Sequence, residues 1–297
     1  MNHLLSKIGS YPFEKLNLLH KDIKPSKEVI NLSIGEPKLN ADSKVLDILN
    51  KETNSFSNYP PMNAIPELSE AYRQYLKNHF GIENVAEDEV CLVAGTREGT
   101  FSIIQALFNK ENVKEKPYVV MPNPFYQIYG GATTLAGGEA KFLDCPEEDN
   151  FQPDLDSLKS EDWQKCQILV LCSPNNPTGS VLPLSKLKDI LDLADKYDFY
   201  VVSDECYVDL YTSEESCPSI LQASSDRSDR LVALHSLSKR SNLPGFRSGF
   251  ACSGKKTISA YKKFRSFHGV SVPLPIQMAS VEACLLYTSP SPRDFLL

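Results

Sequence analysis

Between residues 89 and 253, short apolar runs alternate with stretches of helical spacing. "EVCLVAG" (89–95), "YVVMP" (118–122), "QILVLCSP" (167–174), "FYVVSDE" (199–205), "LVALHS" (231–236) and "RSGFACS" (247–253) read as strands. Each is a compact apolar run that ends in small or polar residues. In "TREGTFSIIQALF", Phe101, Ile104 and Phe108 recur at i, i+3 and i+7, which predicts a helix over 96–108. A second helix is predicted over 183–198, with Leu187, Ile190, Leu191 and Ala194 on one face and Pro183 at its start. A third covers 66–80, striped by Leu68, Ala71, Tyr72, Tyr75 and Leu76. "PIQMASVEA" (275–283) begins another. Residues 1–30 hold no sustained period and are expected to form an arm.

This alternation predicts an α/β fold, with a largely parallel sheet covered by helices on both faces. In such folds ligands bind at the carboxyl ends of the strands. The polar residues that follow each apolar run are therefore the candidates for chemistry.

Composition narrows the classes. Of 297 residues, 41% are hydrophobic and 23% charged, which is ordinary globular usage and argues against disorder. The formal charge of −7 comes with both signs mixed along the chain, so no nucleic-acid groove is expected. No apolar run approaches the roughly 20 residues of a membrane span. The first 19 residues carry charges and a proline rather than a secretory core. The eight cysteines show no metal-ligand spacing, and several sit in strand-like runs, as reduced packed thiols would. Together these points favour the cytoplasm, and no metal is expected.

The strand ends carry "GTREG" (95–99), "NPFYQIY" (123–129), "SPNNPTG" (173–179), "SDECY" (203–207) and "SLSK" (236–239). One chemistry uses this set. A pyridine aldehyde phosphate needs an amine as covalent anchor, and Lys239 supplies it. Its ring nitrogen needs a carboxylate to stay protonated, a role that suits Asp204. Tyr207 and Asn176 can face the ring hydroxyl, and Tyr126 can cover a ring face. The phosphate needs a helix start with hydroxyl and guanidinium groups, for which Gly95, Thr96, Arg97, Ser236 and Arg247 are the candidates.

With "SIGEP" (33–37), "YPPMNAIPEL" (59–68) and "SLSKRSNLPGFRSGF" (236–250), these segments resemble, in order, the fold type I pyridoxal-phosphate aminotransferases of class I/II. The resemblance covers about residues 10–283. It implies a three-layer αβα large domain over 46–283, preceded by an arm and part of a small domain over 1–45. It implies pyridoxal 5'-phosphate as cofactor, and small amino-acid and 2-oxo-acid substrates. Lys239 is implied as anchor and proton shuttle, with Asp204 and Tyr207 beside it in the catalytic set. Gly35 and Asn176 are implied to approach the substrate, and Tyr59 to reach the phosphate of a second subunit in a homodimer. Within the family, "YPFEKL" (11–16) and "NPFYQIYGGA" (123–132) look most like the N-succinyldiaminopimelate aminotransferase branch of lysine biosynthesis. Aspartate aminotransferase and a carbon–sulfur lyase of the same fold are the nearest alternatives.

Two rival motifs weaken on inspection. "SLSK" is also the S-x-x-K of acyl-serine enzymes, but the companion S-D-N and K-T-G are absent. "GFACSGKK" (249–256) approaches a phosphate loop, yet Lys256 stands where a magnesium-binding hydroxyl is needed. The family continues further, with the rest of the small domain and an arginine for the substrate carboxylate. Arg265, on the helix after the last strand, is not expected to supply it. A truncated chain that only binds cofactor is the further alternative. "CLLYTSPSPRDFLL" (284–297) resembles translated adaptor sequence and is expected to be foreign to the gene.

Overall fold

The computed structural model describes residues 1–30, 35–111, 117–211, 217–224, 229–269 and 271–286. The helices are α1 (Pro12–His20), α2 (Ser43–Lys51), α3 (Pro66–Phe80), α4 (Thr96–Leu107), α5 (Ile128–Ala136), α6 (Ser160–Lys165), α7 (Leu184–Tyr197), α8 (Leu237–Arg240), α9 (Lys255–His268) and α10 (Leu274–Leu285). The strands are β1 (Val90–Val93), β2 (Tyr118–Asn123), β3 (Glu139–Asp144), β4 (Cys166–Cys172), β5 (Tyr200–Asp204), β6 (Leu231–Ser236) and β7 (Gly249–Ser253).

The seven strands form one sheet in the order β1-β7-β6-β5-β4-β2-β3. Strands β2 to β6 pair in parallel, as the alternation predicts. Strand β7 runs antiparallel to both β6 and β1. Six of the seven strands coincide with predicted runs. The seventh, β3, has the sequence EAKFLD at the sheet edge, where only Leu143 is buried. An edge strand with one wet face carries no continuous apolar run.

Side-chain alternation along the strands divides the core in two. Leu92, Leu169, Leu171, Val201, Ala233 and Phe250 face α3, α7 and α10. Val93, Val119, Met121, Val170, Val202 and Leu234 face α4, α5 and α9. Both faces are therefore covered. Helix α3 begins at Pro66 as predicted and ends at Gly81, whose φ of +68° forms its left-handed cap. Helix α7 buries Leu187, Ile190 and Ala194, and Leu191 packs at the edge of that face.

The N-terminal region forms a short turn and α1, neither with a buried residue, in keeping with an arm. The expected boundary between residues 45 and 46 falls within α2, which packs on α10. Helix α10 runs through the expected junction at Cys284, and that side chain is buried. Residues 287–297 lie outside the described residues. Among the described residues no helix is long and apolar enough to cross a membrane.

Candidate active site

The parallel strands deliver their carboxyl ends to one rim of the sheet. Because β7 is antiparallel, its beginning arrives at the same rim. Gly249 pairs with Val93 on one side and Ser236 on the other. A Cβ on Gly249 would stand 2.3 Å from the His235 carbonyl oxygen, so only glycine permits this approach. Arg247, two residues earlier, is thereby set beside Gly95 and Ser236. Arg247 and Ser236 share a cavity of about 690 Å³ with Gly35, Thr96, Arg97, Tyr126, Asn176, Asp204, Tyr207 and Lys239. That volume is in the range of small-ligand sites. Of the candidate site residues, Gly95 and Tyr59 are outside this wall: Gly95 stands directly against the Arg247 guanidinium, and Tyr59 is fully exposed.

Asp204 ends β5 at the floor and is 2% exposed. Its Oδ2 accepts a hydrogen bond from Tyr129 Oη at 3.1 Å, and its Oδ1 accepts one from the Cys206 N–H at 3.3 Å. Burial pushes the carboxyl pKa above the usual range, and the hydrogen bonds from Cys206 and Tyr129 oppose that shift. The floor thus holds a carboxyl group served by neutral donors, whose ionised form a protonated ring nitrogen would stabilise.

Lys239 sits on α8, the single turn that follows β6. Its Nζ donates to the carbonyl of Gly35 and lies 5.8 Å from the centre of the Tyr207 ring. Burial lowers its pKa, and the nearby Cys206 and Glu36 partly offset this. A depressed ammonium pKa is what an amine needs to act as nucleophile or base. Asn176 Nδ2 donates to Tyr207 Oη at 3.3 Å, which joins the ends of β4 and β5 across the cavity.

The third wall is a cradle at the start of α4. Gly95 caps that helix with a φ of +79°. Arg247, itself left-handed at φ +52°, donates to the Pro244 carbonyl at 2.9 Å and to the Ala94 carbonyl at 3.2 Å. A Cβ on Gly95 would lie 2.6 Å from an Arg247 guanidinium nitrogen. The Ser236 hydroxyl accepts from the Ser238 N–H at 3.1 Å. Free helix N–H groups, a hydroxyl and a guanidinium at one point form an anion cradle. Gly95→Ala strains the turn and pushes Arg247 aside. It is expected to weaken pyridoxal phosphate binding by about tenfold or more, since a strained backbone conformation costs about 1–3 kcal/mol. Titration of the visible cofactor band, beside a thermal melt, measures this.

At the mouth, the Arg97 guanidinium lies over the Tyr11 ring at 5.5 Å, and Gln127 Nε2 donates to Tyr11 Oη at 2.9 Å. Tyr126 meets Tyr129 edge-to-face, with 5.8 Å between ring centres. Tyr129, Cys172 and Cys206 line the floor as well and were not singled out from sequence. Tyr129 had a signal: it falls three residues after Tyr126, at the start of a helix. In the "SIGEP" segment, Ser33 and Ile34 lie outside the described residues.

The donor set fits pyridoxal phosphate: an amine, a buried carboxyl group and an anion cradle converge on one cavity. Residues 27–285 match the family described as aminotransferase class I and II. An LL-diaminopimelate aminotransferase of Natranaerobius thermophilus is 27% identical over 95% of this chain and 72% of its own length. Among solved structures, an aminotransferase from Neisseria meningitidis superposes with a TM-score of 0.89 at 40% identity, covering 96% of this chain and 73% of that one. An aspartate aminotransferase from Thermotoga maritima gives 0.85 at 27% identity, covering 96% and 74%. The chain belongs to the class I and II aminotransferases, enzymes that work with pyridoxal phosphate.

Proposed function

We propose that this site moves the amino group between N-succinyl-L,L-diaminopimelate and the glutamate/2-oxoglutarate pair. The observation that carries the assignment of roles is that Lys239 and Asp204 line one cavity together with Arg247, which is pressed against Gly95. The bound cofactor supplies an electron sink for the pair left when the substrate α-proton departs. Asp204 keeps the ring nitrogen protonated. Lys239 Nζ would anchor the cofactor and is the amine that would carry the substrate α-proton. Tyr207 and Asn176 would serve the ring hydroxyl, and Tyr126 would cover the ring. Arg247, Ser236, Gly95, Thr96 and Arg97 hold the phosphate. The Gly35 backbone meets the substrate carboxylate together with Asn176. The full exposure of Tyr59 is consistent with its reaching a second copy of the chain in a homodimer.

The diaminopimelate-type substrate is supported by the relatives bearing that name. The succinylated form rests on the "YPFEKL" and "NPFYQIYGGA" segments; Tyr11, from the first, lies at the cavity mouth. The Thermotoga neighbour makes aspartate the competing donor. The test compares N-succinyl-L,L-diaminopimelate, L,L-diaminopimelate and aspartate as donors to 2-oxoglutarate. The highest kcat/KM is expected for the succinylated donor, and a higher value for aspartate would overturn the assignment.

A further inference from the structure

Glu98 and Arg265 are absent from the cavity wall, yet they grip the turn that forms the anion cradle. Glu98 is the third residue of α4, and its Oε2 accepts the Ala94 N–H at 2.9 Å. The carbonyl of the same residue accepts from Arg247 at 3.2 Å. Ala94 is thus held at both its polar atoms, immediately before the glycine on which the cradle depends. An ordinary helix cap would account for the first bond but not for what stands behind it. Arg265 of α9 is 3% exposed, and its Nη1 donates to Glu98 Oε1 at 2.5 Å. The same nitrogen donates to Tyr261 Oη at 3.2 Å, and Tyr261 Oη is 2.5 Å from the Ser102 hydroxyl. His268 Nδ1 lies 3.6 Å from the same Glu98 oxygen.

We propose that Glu98 and Arg265 are positioning residues for phosphate: Glu98 sets the 94–96 turn, and Arg265 neutralises a carboxylate that would otherwise oppose the anion. This rests on the cradle holding the cofactor's phosphate. The electrostatics demand the pairing. An uncompensated carboxylate one residue from Arg97 and two from Thr96 would repel the incoming dianion. Paired with Arg265, it contributes geometry without net charge.

The test uses two ligands that differ only in the phosphate, pyridoxal phosphate and pyridoxal, each titrated by its visible band. The wild-type chain should bind the first far more tightly. Arg265→Met and Glu98→Ala should each lower affinity for pyridoxal phosphate by about 10- to 100-fold, the range seen when an outer support of a binding group is lost. Pyridoxal affinity should stay within about twofold of the wild-type value. Glu98→Gln keeps an acceptor for the Ala94 N–H, and the Glu98→Gln/Arg265→Met pair removes both charges. That pair should recover most of the affinity lost in Arg265→Met, and it keeps the test open if a single variant fails to fold. Equal losses for both ligands, or none for either, would overturn the positioning role. A wild-type chain that does not distinguish the two ligands would overturn the cradle reading, and this inference with it.

Discussion

Asp204→Asn is expected to make the cofactor-free chain more stable at neutral pH and, at the same time, a far poorer binder of pyridoxal phosphate. Asparagine keeps one oxygen to accept the Cys206 N–H, and its amide NH2 can donate to the Tyr129 hydroxyl in place of the bond that Tyr129 donates to Asp204, so both contacts keep a hydrogen bond. What disappears is a carboxylate whose pKa burial has raised. A raised carboxyl pKa marks a charge that destabilises the fold. That penalty is present above the folded pKa and fades as pH falls through it toward the unfolded value. The gain should therefore be seen at pH 7, at about 2–4 °C for each ~1 kcal/mol recovered, and should shrink toward pH 4. Cofactor affinity should fall by at least about 100-fold, because removing one partner of a buried ion pair costs about 3–5 kcal/mol. Melting curves at two pH values, with and without pyridoxal phosphate, measure both effects.

Lys239→Ala should lose the visible cofactor band altogether, and with it about 10²- to 10⁴-fold of any proton-transfer rate beyond the loss of the covalent anchor. Its fold should be unaffected, because the side chain lies at the cavity surface and, among the described residues, Nζ donates to the carbonyl of Gly35. In the wild-type chain, band formation should accelerate as pH rises, since the neutral amine is the nucleophile. Its midpoint should lie below the ordinary lysine value, because burial lowers the Lys239 pKa. Stopped-flow absorbance across pH 6–10 gives that midpoint.

The parts of the site that the sequence revealed share a physical cause. Strands buried on both faces are continuous apolar runs, and the residues after them must gather at one rim. Asp204, Asn176, Ser236 and Lys239 could therefore be grouped without knowing the strand order. Arg247 was reachable only through its neighbours in sequence, since its place depends on β7 being antiparallel. Less legible were features set by contacts between distant segments. Tyr129 reaches Asp204 across 75 positions, and Arg265 reaches Glu98 across 167. Strand β3 escaped because its neighbours leave one face to solvent. Arg265 illustrates the limit well: it is no substrate ligand candidate, as its sequence context suggests, yet its buried guanidinium supports the turn beside the cradle.

The most direct test of the site is to mix the chain with pyridoxal phosphate, reduce it with borohydride, digest it and locate the modified lysine by mass spectrometry. The geometry predicts one stoichiometric adduct on Lys239. An adduct spread over surface lysines, or none at all, would contradict it.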